Sequence, residues 1–312
     1  MIIDLLTDTQ LWQQMLVYAA PLIIAAMGEL ITERSGVLNV GIEGMMLVAG
    51  VVCFVAAFET GSVAAGMLAG MAASGLMALV LAYYSITLRG SQITVGLALY
   101  VFGIGFSSLA YRIAFGIRLS TPRAPTLDAL SLPGLSDIPV LGQILFQQNV
   151  LVYVALLLVP TVHLFLFHTP MGLRMRAAGE NPRAVDTLGL DIALLRYGAT
   201  LAGGVLIGLG GAYLPLALTG TFSENMTAGR GWLALILVIF GRWQPGLVLL
   251  GACFFAYVDS LQFKVAMESK LVPPQFLLML PYILAVVVLI RIYSGARAPR
   301  ALAVPYERES RG

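Results

Sequence analysis

The sequence predicts an all-α integral membrane protein, a polytopic bundle of about 8–10 transmembrane segments, because about 20 apolar helical residues cross a bilayer. Residues of the set AVILMFWYC make up 59% of the chain, and charged residues make up only 11%. A soluble domain carries about 25% charged residues, so too few charges remain to cover a water-facing surface. The mean hydropathy is +0.90, as expected for a membrane bundle. A membrane β-barrel would instead show short segments of alternating hydrophobicity.

The apolar runs predict the individual spans. In chain order they are 13–32, 38–59, 61–88, 92–115, 149–168, 192–218, 231–241, 246–262 and 276–293. The second run follows Gly36, Gly41 and Gly44, which predicts a broken helix. The run 231–241 is too short to cross alone and is predicted to be re-entrant. Non-helical backbone at membrane depth is tolerated only against protein or a watery cavity, so a pathway is most plausible at these two places.

The distribution of cations predicts the orientation. With the N-terminus outside and alternating spans, two thirds of the 18 Lys and Arg residues fall on the cytoplasmic side, as the positive-inside rule requires. The chain is then predicted to form one multi-pass transmembrane domain over residues 1–312 in the cell inner membrane. Its external loop is 116–148, its long cytoplasmic loop is 170–191, and its cytoplasmic C-terminal tail is 294–312.

Two features suggest how the bundle is organised. A Gly-containing polar break precedes an apolar run at Gly36 and again at Gly229, which predicts an internal two-half pseudo-repeat of the kind that brackets a transporter's site. Pairs of glycines four residues apart, such as Gly204 and Gly208, predict close helix packing. That packing is either within the chain or against a second subunit.

The polar residues around the first break are candidates for the site. An ionisable residue at mid-helix costs about 2.5–3.5 kcal/mol to insert, which makes it a functional-site hypothesis. Glu29 and Glu43 either cap the broken helix ends or line a pathway. Glu33 is predicted to pair with Arg34 or another neighbour at the interface. Asn39 either hydrogen-bonds a substrate or satisfies backbone groups freed by the break.

A second polar cluster precedes the short apolar run 231–241. Phe222 and Trp232 could stack on a ring or sugar, although aromatic residues at this depth are most often interfacial anchors, and anchoring is favoured for Trp232. Asn225 and Glu224 could supply hydrogen bonds to a solute. Arg230 either pairs with Glu224 or touches a substrate.

The loop 170–191 is basic and punctuated by Gly and Pro. Residues 173–178 are predicted to be helical, with Gly179 breaking the helix. Pro182 suits the first position of a second short helix over 182–188. The small residues Ala177, Ala178 and Gly179 are then expected at the surface, where they would let a partner approach closely.

Missing motifs exclude several enzyme classes. Neither Lys264 nor Lys270 follows a glycine, so the chain has no P-loop and does not hydrolyse ATP by that route. His163 and His168 have no acidic ligand beside them in sequence, and a metal site needs three or four ligands. No nucleophile-base motif occurs. The sequence therefore predicts no enzymatic activity, no cofactor, no metal and no nucleic-acid partner.

Two segments carry a family resemblance. Residues 33–46, from Glu33 through Asn39 to the Gly-Met-Met run, and residues 176–184, with the order Gly-Glu-Asn-Pro-Arg, resemble the permease subunits of ABC importers. The similar family is the branched-chain amino acid/ribose permease family, and within it the nucleoside and simple-sugar branch. The resemblance extends over nearly the whole chain.

The resemblance implies a permease that translocates nucleosides or related simple sugars. The implied partners are an ABC ATPase, a second homologous permease, an external substrate-binding protein, the small-molecule substrate and membrane lipid. The implied coupling helix, which docks on the ATPase, contains Arg176, Ala177, Ala178, Gly179, Glu180, Asn181 and Pro182. The candidate pathway residues are Glu29, Asn39, Glu43, Phe222 and Asn225.

One alternative and one mutational expectation complete the sequence-based view. The alternative is an ion-gradient-driven secondary transporter of small polar solutes. Such a transporter would also need membrane-embedded carboxylates, and Glu29 and Glu43 could fill that role. For the ABC permease, we expect Gly179→Trp or Glu180→Arg to leave the fold intact while uncoupling transport.

Overall fold

The structure is a computed structural model that describes most of the chain. The described residues are 8–116, 121–131, 134, 136, 138–268, 279–280, 283–284, 286–287, 290 and 297–307. The span predicted at 276–293 lies for the most part outside them. The predicted tail is described over 297–307.

The described chain is a helical bundle with one small two-stranded sheet. The helices are α1 (Thr9–Arg34), α2 (Ile42–Thr60), α3 (Val63–Ala82, continued by a π-helical turn Tyr83–Thr87), α4 (Gln92–Phe115), α5 (Leu141–Leu145), α6 (Val150–His168), α7 (Pro170–Glu180), α8 (Pro182–Thr187), α9 (Ile192–Tyr213, continued by a π-helical turn Leu214–Thr219), α10 (Arg230–Phe240) and α11 (Pro245–Glu268). Strand β1 (Ala129–Ser131) pairs antiparallel with β2 (Gln147–Asn149), with Leu130 opposite Gln148.

Among the described residues, seven helices are long and apolar enough to cross a membrane, which confirms the all-α polytopic class. They are α1, α2, α3, α4, α6, α9 and α11, each extended by its π turn where it has one. The sequence-predicted short run is the helix α10, which has 11 residues and therefore rises only about 16 Å. It cannot cross a hydrocarbon core of about 30 Å by itself.

Helix α1 lies at the centre of the bundle. Its most apolar stretch is 83% buried, because α5, α6, α9, α10 and α11 all pack against it. The corresponding stretch of α4 is only 22% buried. Helix α1 is therefore a core helix, whereas most of the circumference of α4 is uncovered by the described part of the chain.

The small-residue pairs pack within the chain. A Cβ added to Gly208 would lie 2.7 Å from the Cβ of Ser74, and one added to Gly28 would lie 2.5 Å from the carbonyl oxygen of Gly203. The backbones of α3 and α9, and of α1 and α9, therefore approach more closely than side chains allow. Of the two alternatives for Gly204 and Gly208, the structure shows packing within the chain.

Candidate translocation and coupling site

The first break brings the chain back into the bundle. Helix α1 ends at Arg34, and residues 35–41 are not helical. The backbone N–H of Asn39 nonetheless donates to Oε1 of Glu29, at 3.0 Å, although Glu29 lies more than one helical turn before the end of α1. The segment therefore runs back alongside α1, and α2 starts inside the bundle rather than at its face.

Side chains satisfy the backbone of this break. The N–H of Leu38 donates to Oε1 of Gln92 at 2.7 Å, and the N–H of Gly41 donates to Oδ1 of Asn39 at 3.1 Å. Gln92 and Asn39 are both buried. Buried backbone polar groups need such partners, so the structure shows Asn39 stabilising the break, one of its two expected roles.

Helix α4 closes the break from the side. A Cβ on Gly103 would lie 2.5 Å from the Cα of Gly44, and one on Gly96 would lie 2.9 Å from the backbone nitrogen of Gly41. Gly96 and Gly103 are seven residues apart and therefore share one helix face. The buried residues of α4 lie along that face, and most of the remaining circumference is uncovered by the described part of the chain. The sequence predicted α4 as a span but not its contact with the break, for which the seven-residue spacing of these two glycines was the available signal.

Glu43 joins the two breaks. Its Oε1 accepts from the hydroxyl of Thr227 at 2.6 Å and from the backbone N–H of Gly229 at 2.8 Å. Its Oε2 accepts from the N–H of Gly231 at 2.6 Å. A carboxylate at a helix N-terminus satisfies free N–H groups and complements the helix dipole. The structure thus gives Glu43 the expected capping role, although it caps α10 rather than its own helix.

Glu33 and Arg34 do not form the predicted pair. Glu33 is fully buried, and its Oε2 accepts from the indole N–H of Trp243. Arg34 instead donates to the backbone carbonyl of Trp243, at 2.7 and 3.1 Å, and lies over the ring of Phe167. Of the two partners expected for Glu33, Arg34 or another neighbour, the structure shows another neighbour, because the turn between α10 and α11 supplies Trp243 to both side chains. Glu33 is buried in the bundle rather than placed at an interface with water.

The second polar cluster separates into a buried and an exposed part. Phe222 is buried against Phe54 and Tyr111, with ring centroids 6.3 and 5.2 Å away. Asn225 is exposed and has a positive φ of 57°. Trp232 is half-buried and packs edge-to-face against Tyr100 of α4, with ring centroids 5.3 Å apart.

The predicted alternative that Arg230 pairs with Glu224 was wrong. Glu224 pairs with Arg112 of α4 at 2.9 Å, on the surface. Arg230 donates to the carbonyls of Met226 and Thr227 in its own turn. The partner of Glu224 depends on how α4 packs against this segment, and the spacing of residues in the sequence does not indicate that packing.

The loop 170–191 is a helix pair with well-defined starts. The hydroxyl of Thr169 accepts from the N–H of Gly172 at 3.1 Å, and Pro170 occupies the first turn of α7. The side chain of Asn181 accepts from the N–H of Ala184 at 3.2 Å, which begins α8. Each is an N-cap followed by proline, the expected start of a helix.

Two details of this loop differ from the prediction. Helix α7 continues through Gly179 and ends at Glu180. Ala178 and Gly179 are buried rather than displayed, because Gly179 lies directly against the carbonyl oxygen of Arg34 and the backbone of Gly36. The glycine is needed for a close approach inside the protein, not for a partner outside it.

The open side of the helix pair is formed by other residues. They are Met171, Leu173, Arg174, Glu180, Asn181, Arg183, Ala184, Thr187, Leu188 and Gly189. Leu188 is 77% exposed and Leu173 is 59% exposed, which is unusual for leucines outside a lipid-facing helix. Arg176 points inward, where it donates to the carbonyl of Leu166 at 2.8 Å and lies over the ring of Phe167. Helical periodicity was a partial signal, since residues 173 and 180 are seven positions apart and share the face opposite the buried Met175.

The site residues all belong to one membrane bundle. Among the described residues, no group of three or more His, Cys, Asp or Glu is arranged to hold a metal ion. A break inside the bundle, a short helix capped at its start by Glu43, and a helix pair between two long apolar helices belong to one all-α polytopic membrane protein. A solved structure of similar fold shows an inward-facing conformation of a protein assigned as a metal-chelate type ABC transporter. It superimposes with a TM-score of 0.53 over 93% of this chain and 88% of that chain, at 17% identity, and so supports the fold.

Comparisons of sequence give the family. The model described as the permease component of branched-chain amino acid transport systems matches residues 12–289, and the chain therefore belongs to that family. The guanosine ABC transporter permease NupQ of Bacillus subtilis is 36% identical over 95% of this chain and 96% of its own length. TsgC13 of Haloferax volcanii, assigned as a glucose ABC transporter permease, is 35% identical over 93% of this chain and 95% of its own length.

Family membership settles the general role. The chain is a multi-pass permease subunit of an ABC transporter, and it is a transport component whose ATPase is a separate subunit. Its partners include that ATPase and a substrate-binding protein. The comparisons support this role and do not support the ion-gradient-driven alternative. The pseudo-repeat and the pathway residues stay predictions.

Proposed function

We propose that this permease imports nucleosides or closely related simple sugars across the cell inner membrane, driven by ATP hydrolysis in its partner. The observation that carries the proposal is the direct contact of Gly179 in α7 with Arg34 and Gly36 at the first break. A push on the α7–α8 pair would reach the break through packed backbone, without an intervening flexible segment. Packed contacts with two discrete arrangements are the physical route for such coupling.

The charge distribution supports an orientation with the α7–α8 pair in the cytoplasm. Arg34, Arg174, Arg183 and Arg300 lie at or beside this face, and the positive-inside rule places such clusters in the cytoplasm. Residues 220–240 lead from the end of α9 through α10 to Trp243 beside Arg34, so this segment adds one crossing to those of the seven long described helices. One further span after α11, in or near 276–293, would make nine crossings and leave the N-terminus external and the C-terminus cytoplasmic.

The open side of α7 and α8 is the proposed docking surface for the ATPase. It combines the exposed apolar side chains Leu173 and Leu188 with the charged side chains Arg174, Glu180 and Arg183. Apolar anchors surrounded by polar groups are typical of protein interfaces. Of the predicted coupling residues, Glu180 and Asn181 would touch the ATPase, whereas Arg176, Ala178 and Gly179 would support the helix from behind.

Leu188→Asp is expected to weaken ATPase binding without unfolding the permease. Burying an unpaired carboxylate in an interface costs several kcal/mol, so we expect recovery of the ATPase with tagged permease to fall at least about tenfold. Leu130→Asp is the matched control, because Leu130 is also an exposed leucine but lies at the opposite end of α6. Equal recovery with both variants would exclude this surface.

We also propose that a second homologous permease covers α4 and that lipid covers the remaining apolar surface. The exposed side of α4 carries Thr94, Gly105 and Arg112 among apolar residues, whereas a purely lipid-facing helix has no need of them. Substrate would then pass beside α4 and the first break. Glu29, Asn39, Glu43 and Phe222 are enclosed in this conformation and would meet substrate when the break opens. Asn225, already exposed, would lie at the outer entrance.

Reconstituted transport tests the proposal. With the ATPase and substrate-binding protein in proteoliposomes, we expect labelled guanosine to accumulate only when ATP is supplied. Accumulation is expected to persist when ion gradients are collapsed. Uptake of glucose without guanosine would move the substrate class to simple sugars. Uptake by the permease alone would overturn the proposed function.

A further inference from the structure

The C-terminal tail forms an ordered strap on the same face as the α7–α8 pair. We define the strap as residues 297–307. It makes turns closed by the N–H of Leu302 on the carbonyl of Pro299, at 3.0 Å, and by the N–H of Val304 on the carbonyl of Ala301, at 3.2 Å. Ala301 is buried although it lies so near the chain end. Terminal segments are usually loose unless they are tied down, so these contacts need an explanation.

The strap bonds both parts of the proposed coupling route. The N–H of Ala301 donates to the carbonyl of Gly179 in α7, at 2.8 Å. Two residues later, the N–H of Ala303 donates to the carbonyl of Gly36 in the first break, at 3.2 Å. Ala303 holds a positive φ of 62° to do so, which is uncommon for a residue with a Cβ. The strap thus bridges the two glycines whose backbones touch.

Arg196 of α9 ties the strap to the break a second time. Its Nε donates to the carbonyl of Ser35 at 3.2 Å, and its Nη1 donates to the carbonyl of Val304 at 3.1 Å. The residue is only 1% exposed. A rigid planar fork can hold two carbonyls at a fixed angle, which the single ammonium of lysine cannot do. Arg196 is therefore a positioning residue for the strap and the break together.

The far end of the strap reaches two further elements. The hydroxyl of Tyr306 donates to Oδ2 of Asp186 in α8 at 3.0 Å. Glu307 pairs with Arg89 at 3.2 Å, in the connection between α3 and α4. The strap consequently touches α7 and α8, the break, α9 and the connection that leads into α4.

We propose that the strap transmits the displacement of the α7–α8 pair to the first break and to α4. The inference rests on the proposed function, because the displacement is the work done by the docked ATPase. If the strap is removed, α7 keeps its packing on Arg34 and Gly36 but loses the hydrogen-bonded bridge across that contact, so motion of α7 moves the break less completely. Loss of the strap should therefore separate ATP hydrolysis from transport rather than abolish docking.

Truncation of the tail tests the strap. A permease that stops after residue 296 lacks the strap, and one that stops after residue 307 keeps it and is the matched control. Both are reconstituted with the ATPase and substrate-binding protein, and guanosine moved per ATP hydrolysed is measured. For the stop after 296 we expect ATPase association to remain and the ratio to fall about tenfold, within the usual range of coupling free energies. The stop after 307 should match the full chain.

A second variant guards against misfolding of the truncated chain. Tyr306→Phe combined with Glu307→Gln changes exposed or half-buried side chains only and frees the far end of the strap. We expect it to lower the same ratio about threefold, which corresponds to the small end of coupling free energies. An unchanged ratio in this variant, or equal losses of hydrolysis and transport after truncation, would contradict the proposed role of the strap in coupling. Failure of the proposed function is distinct, since the full chain would then show no ATP-dependent transport at all.

Discussion

Gly179→Trp is expected to prevent folding of the permease rather than to uncouple it. A Cβ at this position would overlap the carbonyl oxygen of Arg34 and would lie 3.1 Å from the backbone nitrogen of Gly36. These obstacles are backbone atoms, which cannot rotate away as a side chain can. Overpacking a well-packed site typically costs about 1–3 kcal/mol, and a whole indole ring against backbone costs more. This replaces the sequence-based expectation that the variant keeps its fold.

Folded yield and thermal unfolding in detergent measure the effect. Leu173→Trp is the control, because Leu173 lies on the same helix and is exposed. It should purify as well as the unmodified protein. Gly179→Ala should be intermediate, losing about 1–3 kcal/mol of unfolding free energy. Recovery of monodisperse Gly179→Trp permease at normal yield would show that α7 does not pack on the break as described.

Glu43→Gln is expected to destabilise the contact between the two breaks. The carboxylate accepts three hydrogen bonds, from Thr227, Gly229 and Gly231. An amide keeps one accepting oxygen but turns its NH2 toward at least one of these donors. Losing a charge-assisted bond and leaving a buried donor unpaired costs about 2–3 kcal/mol. Transport should fall as well, because α10 loses its fixed starting point.

Matched variants separate this effect from a general loss of charge. Glu59→Gln changes an exposed glutamate at the other end of the same helix and should leave the unfolding temperature unchanged. Thr227→Val removes a single donor, the hydroxyl 2.6 Å from Glu43, and should cost about 1 kcal/mol. The expected order of destabilisation is Glu43→Gln, then Thr227→Val, then Glu59→Gln. Equal unfolding temperatures for all three would remove Glu43 from its proposed role.

Local sequence signals predicted the individual elements well. Continuous apolar runs place the membrane helices because each run has to satisfy its own backbone in lipid. The glycines at 36 and 41 mark a real interruption, and the Asn-Pro pair at Asn181 starts α8 as expected. Gly179 misled the helix prediction, since one glycine costs only about 1 kcal/mol in a helix and close packing offsets that cost.

Partners far apart in the chain were beyond these signals. Nothing near Glu43 indicates that it caps a helix beginning at Arg230, and nothing near Glu33 points to Trp243. The same holds for the tail, whose Ala301 and Ala303 bond Gly179 and Gly36 through backbone groups that every residue possesses. Backbone donors carry no sequence signature, so only their placement reveals them.

By itself, the sequence determined that this chain is a polytopic helical membrane protein with a break before its second long helix and a basic helical loop, whereas the class of transporter came only from two segments that resemble known permeases. Those properties follow from composition and local periodicity, which act over a few residues. The tertiary structure alone decided which face of α7 is open, which helix Glu43 caps and where the tail binds. These depend on helices packing at a particular rotation and depth, and that packing is a property of the whole bundle.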